Sequence, residues 1–326
     1  MRYRIRHETL YRYSADVVHS HQLLHLVPRP APFQQCLEYA LEIRPVPLER
    51  RDEIDVFGNP MTSIELEHAH RELRVLAEME VQVHPRPMLL AADSWPWEEV
   101  REALAYRVGT PPGREHLQAG AFRHESAFVR IKQVFAQYAA DCFAPGRPIL
   151  AAADALSSKL HHEFRYAPGE TTISTPLLQV FEQRVGVCQD FAHVMLACLR
   201  SLGLAARYVS GYVRRVPQAA REVGQHDAPS ASAGAGGTEC AAGAAGAAGA
   251  EGASHAWIAV YCPPFGWVEL DPTNDARVAT DHVAVAWGRD FADVSPLRGV
   301  ILGGGTHALS VSVTVEALQA QSYALT

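Results

Sequence analysis

The stretch Arg184–Leu204, "RVGVCQDFAHVMLACLRSLGL", decides how this chain is read. Phe191, Val194 or Met195, Cys198 and Leu202 recur at intervals of three and four, the spacing of one helix face, and Gly203 stands where a helix commonly stops. Asp190 falls in the first turn, where the helix dipole favours a negative charge. Cys188 is therefore at or beside the helix N-terminus. A free thiol ionises near pH ~8.5, and a helix N-terminus or a neighbouring imidazolium lowers that value and makes the thiolate a nucleophile. Gly186 lets the chain turn tightly just ahead of it. Cys198, on the apolar stripe, reads instead as an inert core thiol.

A nucleophilic thiol needs a base, and the base needs an orienting group. Downstream, "SHAWIAVYCPPFGWVELDPTND" offers His255 at the start of one β-rich run and Asp271 at the end of the next, joined by a Pro-Pro-Phe-Gly turn. On neighbouring antiparallel strands the two side chains can meet. His255 would accept the Cys188 proton, and Asp271 would hold the imidazole tautomer and stabilise its charged form.

Composition bounds the rest. With 326 residues and 48% hydrophobic content the chain can bury a large core. A net charge of -7 without a Lys/Arg block argues against nucleic acid and membrane surfaces as partners. The start has no continuous apolar region and no apolar run reaches membrane-spanning length, so the expected location is cytoplasmic. Six cysteines without a CxxC pair read as free thiols rather than a disulfide framework or zinc ribbon. "HSHQLLH" (His19, His21, His25) lacks an acidic or cysteine partner at ligand spacing, and no metal or cofactor is expected.

Along the chain, residues 1–90 alternate like the strands of a small antiparallel β domain. Residues 91–150 form a helical connecting segment, with helical spacing in "WEEVREALAYRV" and "ESAFVRIKQVFAQYAADCF". Residues 151–326 form the core, in which a helix, "LAAADALSSKLHHEF", precedes the Cys188 helix and β-rich runs follow it. Residues 217–253, almost all Ala, Gly and Ser, are expected to be a disordered insertion, having nothing bulky to bury. "LGGGT" lacks the remaining spacing of a phosphate loop and reads as a turn, and "THALSVSVTVEAL" reads as a last strand added to a sheet.

"GVCQDFAHVMLACLRSLGLAARYVSGYV", followed by "SHAWIAVY" and "GWVELDPTN", resembles the transglutaminase-like branch of the papain-like thiol enzymes. The start, "MRYRIRHETLYRYSADVVHSHQLLHLVPRP" with "DVFGN", resembles the N-terminal β region that accompanies this core in bacterial members, and "GRDFADVSPLRGVILGGGTHALSVSV" is similar to the same group. The resemblance implies an α+β fold, with a nucleophile helix packed on an antiparallel sheet and an N-terminal β domain. It implies Cys188 as nucleophile, His255 as base and Asp271 as third member of a triad. The expected activity is cleavage or transfer of an acyl group from an amide, a peptide bond or a glutamine-type side chain, through a thioester, foremost as a cysteine peptidase or amidase. Two alternatives stand beside it: a binding or scaffold protein with an idle site, and an acyltransferase using a small thioester donor. The Cys188 backbone N–H is one expected oxyanion donor; Tyr166, Gln183 and Trp257 are candidates for a second donor or for substrate contact. The expected partner is a peptide or protein substrate, and the oligomeric state is left open.

Overall fold

The computed structural model describes residues 1–106, 113–214 and 252–318. Alternating burial at Tyr3, Ile5, His7 and Thr9 marks one face of a long first strand, β1 (Arg2–Leu24). It is followed by β2 (Gln34–Arg44), β3 (Glu49–Ile54), β4 (Pro60–Leu66) and β5 (His70–Val83). β3, "ERRDEI", is exposed along its whole length and shows no alternation; pairing with β4 alone makes it a strand.

Short helices come next: α1 (Trp97–Ala103), α2 (Arg114–Gly120) and α3 (Gln133–Ala139), then the longer α4 (Ile149–Glu163). The helix predicted from Glu125 begins only at Gln133. The Glu125 carboxylate accepts the Ile131 N–H at 2.8 Å and the Asp290 carboxylate accepts the Phe128 N–H at 2.7 Å, so side chains take the donors a helix would use.

The chain then passes through β6 (Arg165–Tyr166), α5 (Leu177–Gln183) and β7 (Val185–Gly186), which pairs parallel to β6, into α6 (Cys188–Ser201). Every residue of α6 from Asp190 to Arg200 is buried. The guanidinium of Arg200 is satisfied within that core by the Phe122 and Ala206 carbonyls and the Ser126 hydroxyl. Leu204 N–H bonds back to Leu199 O past Gly203, whose φ of +80° closes the helix.

α6 lies on an antiparallel sheet of β8 (Ala206–Arg214), β9 (Gly252–Tyr261), β10 (Trp267–Asp271), β11 (Ala276–Arg277) and β12 (His282–Gly288), in the order β11-β10-β9-β8-β12. Gly252 and Ala253, read from sequence as the end of the insertion, open β9; residues 217–251 lie outside the described residues.

After α7 (Phe291–Val294) come β13 (Leu297–Gly303) and β14 (His307–Leu318), and both join the N-terminal sheet. β1 changes partners along its length. Its first half runs between β5 and β14, and its second half between β4 and β13, with a break in register between Arg12 and Val17. The β13–β14 turn hugs this corner. Gly303 has φ +94° and a Cβ there would sit 2.4 Å from Asp16 O; Gly305 has φ +61° and would meet Ser14 Oγ at 2.4 Å. "LGGGT" is thus a turn, as read, for a steric reason the sequence alone does not display.

Candidate active site

Val187, extended at φ -109° and ψ 179°, delivers the chain into α6. The Asp190 carboxylate folds back to accept the Val187 N–H at 2.9 Å and the Thr171 hydroxyl at 2.7 Å. Gly186 makes room for this: a Cβ there would lie 2.6 Å from both Cβ and Oδ2 of Asp190. The Asp190 and Phe191 N–H groups return to Val187 O, and among the described residues nothing accepts from the N–H groups of Cys188 and Gln189 at the helix tip. Cys188, half-buried, lines a cleft of about 430 Å³ with Tyr166, Ile173, Gln189, Tyr208, Ser210, His255 and Phe291.

Across the cleft His255, on β9, faces Cys188 closely enough for the two side chains to interact electrostatically. Its Nε2 donates to Asp271 Oδ2 at 2.7 Å. Asp271 is fully buried at the end of β10, the strand next to β9, and it also accepts the Asn274 amide at 2.6 Å and the Thr273 N–H at 3.0 Å. A second histidine, His282 at the start of β12, donates from Nε2 to the same Asp271 oxygen at 3.1 Å.

The electrostatics follow from these contacts. Burial opposes charge on His255, but its interactions with Cys188 and with the Asp271 carboxylate outweigh it and raise the imidazole pKa to about 10. Burial also opposes ionisation of Asp271, yet hydrogen bonds from His255 and His282 hold its carboxyl far below the usual range. Asp190, by contrast, is pushed up by burial, which the Val187 and Thr171 hydrogen bonds only partly offset. The arrangement sets a thiol, an imidazole held toward its charged form and two helix-tip N–H groups around one cleft.

The structure brings Cys188, His255 and Asp271 together and places Tyr166 in the cleft wall, 40% exposed. Two candidates are corrected. Gln183 is exposed at the end of α5, outside the residues that line the cleft. Trp257 is fully buried, and its indole N–H is spent on the Glu269 carboxylate at 2.9 Å, so it has no donor to offer an oxyanion. Thr171, Gln189, Asn274 and His282 belong to the site and were not singled out. Asn274 sits within "DPTN", three residues from Asp271, and "HVAVAWG" carries a readable strand after His282, so both left a faint signal.

The ligand atoms of His255, Asp271 and His282 lie within 4.8 Å of one another, close enough to hold a cation, but hydrogen bonds already occupy the shared carboxylate oxygen. "HSHQLLH" does not converge. His19 approaches Glu65 of β4 at 3.7 Å, His21 pairs with Ser63, and His25 with Asp55 at 3.3 Å. His19 has Glu65 and Glu67 beside it, His25 has Asp55 from the β3–β4 turn, and His21 meets a hydroxyl, so the three rings do not share a carboxylate.

Among the described residues no helix is long and apolar enough to cross a membrane. Over 96% of its length the chain is 34% identical to an uncharacterized protein of Mycobacterium tuberculosis, covering 92% of that protein. It is 32% identical to one of Mycobacterium leprae, with 97% of this chain and 99% of that one aligned. The crystal structure of a candidate cysteine protease from Cytophaga hutchinsonii superposes with a TM-score of 0.69 at 17% identity, covering 98% of this chain and 92% of that one, which shows a shared fold. Residues 3–82 match the bacterial transglutaminase-like N-terminal region, residues 136–272 match the transglutaminase-like superfamily, and the chain belongs to that superfamily.

Proposed function

We propose that this protein is a thiol-dependent hydrolase of amide bonds, a cysteine peptidase or amidase, with Cys188 as nucleophile, His255 as acid and base, and Asp271 as the group that orients His255. The observation that carries this reading is the buried His255 held between the Cys188 thiol and the Asp271 carboxylate. The thiolate sulfur bonds to the amide carbonyl carbon, and the oxygen takes up negative charge beside the Cys188 and Gln189 N–H groups. The carbon–nitrogen bond then breaks as the imidazolium gives its proton to the departing amine, leaving a thioester. Water gives a proton to His255 and attacks that thioester; the acid leaves and the thiol is restored. A mainly apolar wall of Tyr166, Pro168, Ile173, Tyr208 and Phe291 suits a peptide with an uncharged side chain next to the scissile bond. The five described cysteines are free thiols, which suits a reducing, cytoplasmic setting.

The test is the pH profile of iodoacetamide modification at each cysteine by peptide mass mapping, in the wild type and in His255→Ala. Cys188 should react fastest below pH 7 and slow at least tenfold in the variant. Reaction no faster than at Cys240 of the Ala/Gly-rich segment, unchanged by His255→Ala, would overturn the proposal and leave a binding protein with an idle site.

A further inference from the structure

His282 is not needed by the mechanism above, yet it is 4% exposed and placed on the carboxylate that orients His255. Its second nitrogen, Nδ1, lies 2.7 Å from Asp281 Oδ1. Each ring nitrogen therefore faces a carboxylate oxygen. A neutral imidazole has one N–H and one bare nitrogen, and the bare nitrogen would confront an acceptor; only the imidazolium, with two N–H groups, satisfies both partners. The half-exposed Asp281 and the buried Asp271 are both held ionised by these hydrogen bonds.

Packing fixes the ring as well. Trp257 of β9 stands edge-on to it, with centroids 5.2 Å apart, and the His255 ring centroid is 6.2 Å away. Gly211, on β8 between β9 and β12, carries no side chain there. A Cβ at that position would meet Val283 O at 2.2 Å and the Trp257 ring at 2.5 Å. The charged and titratable groups nearby are His255 and Asp271 from β9 and β10, Asp281 beside it in sequence, and beyond Asp281 the Tyr3 hydroxyl of β1, on which Asp281 and Arg214 of β8 act with opposite sign.

We propose that His282 is a positioning residue for the same amide chemistry: an imidazolium clamped between Asp271 and Asp281, which fixes the Asp271 carboxylate and shares its charge with His255. The proposal rests on the reading of Cys188 and His255 given above. A carboxylate shared between two imidazoliums holds each less tightly than it would hold one. His255 thereby remains acidic enough to release its proton to a departing amine, although Asp271 is out of reach of water. The sequence Cys188, His255, Asp271, His282, Asp281 forms a chain of alternating proton donors and acceptors that ends at the surface.

The experiment uses the full chain labelled with [15N]histidine, together with the Cys188 alkylation profile between pH 5 and 11. In the wild type, the resonances lost in His282→Gln should show both ring nitrogens protonated at pH 8. His282→Gln keeps an N–H donor toward Asp271 but removes the cation. The rise in Cys188 reactivity at low pH and the change that follows loss of the His255 proton at alkaline pH should then both move to higher pH, the alkaline one more, by roughly half to one pH unit, because the lost charge lies nearest His255. Asp281→Asn, which removes an anion rather than a cation and lies farther from His255, should shift the profile the opposite way and by less, and both variants should melt within a few degrees of the wild type. A neutral His282 at pH 8, or a His282→Gln profile superimposable on the wild type, would overturn the proposal. If the wild type itself shows no enhanced Cys188 reactivity at low pH, the nucleophile assignment fails instead, and the two failures are distinct.

Discussion

His7 of β1 and Tyr212 of β8 share a 2.8 Å hydrogen bond across the junction between the N-terminal sheet and the sheet of the site. The other nitrogen of His7 meets the Thr9 hydroxyl at 3.2 Å, so a fully buried ring is satisfied on both sides.

Burial lowers the His7 pKa to about 4. The unfolded chain binds that proton near the ordinary value of 6.5, so the native state's advantage is complete above pH 6.5 and is lost as pH falls through 4. His7→Gln should remove roughly 2 to 3 kcal/mol of the stability lost between pH 7 and 4.5. Urea unfolding at the two pH values checks this; an equal loss in variant and wild type would exclude His7 as a source of acid sensitivity.

Asp271→Asn keeps the shape but removes the anion that both histidines address. Turnover should fall by about a hundredfold or more, as expected for losing the group that orients a catalytic base. With the His255 pKa raised to about 10, the charged imidazole persists through neutrality, and wild-type activity should decline only as pH rises through that value. A pH–rate profile measures both expectations once a substrate is in hand, and unaltered circular dichroism would show that the variant still folds.

Gly186→Ala drives a methyl group into Asp190. We expect destabilisation of roughly 1 to 3 kcal/mol and slower Cys188 alkylation, because the Val187 N–H loses its acceptor and the helix start shifts. Thr171→Val, which removes only one hydrogen bond to Asp190, should cost about 1 kcal/mol. Denaturant titration ranks the two, and a smaller effect for Gly186→Ala would contradict the steric argument.

Gly303→Ala combines a left-handed φ with a 2.4 Å approach to Asp16 O. It should lower the melting temperature by several degrees, for a cost of roughly 1 to 3 kcal/mol, while leaving the spacing of Cys188 and His255 alone. Calorimetry paired with Cys188 alkylation separates these effects.

The Cys188 helix was legible because its apolar residues repeat over four turns and Gly203 closes it, so local chemistry agrees with the tertiary structure. His255 and Asp271 were legible because a tight hairpin joins their strands, which makes sequence spacing a fair guide to distance. His282 was not. Its strand is readable, but its meeting with Asp271 depends on how β10, β11 and β12 return across the sheet, which no window of neighbouring residues encodes. The false helical start at Glu125 failed for a similar reason: Asp290, which captures the Phe128 N–H, lies 162 residues away. Trp257 looked available in sequence because Glu269, its partner, sits on the adjacent strand.

β1 pairs with β14 from Arg2 opposite Leu318 to Tyr13 opposite His307. During translation β1 therefore leaves the ribosome some three hundred residues before that edge is covered, and Val313 and Val315 cannot enter the core until then. Such sequence-distant pairing makes for slow completion and a long-lived open edge on the nascent chain. The charges along β1, at Arg2, Arg4, Arg6, Glu8 and Arg12, are of the kind that discourage such an uncovered edge from pairing with another chain.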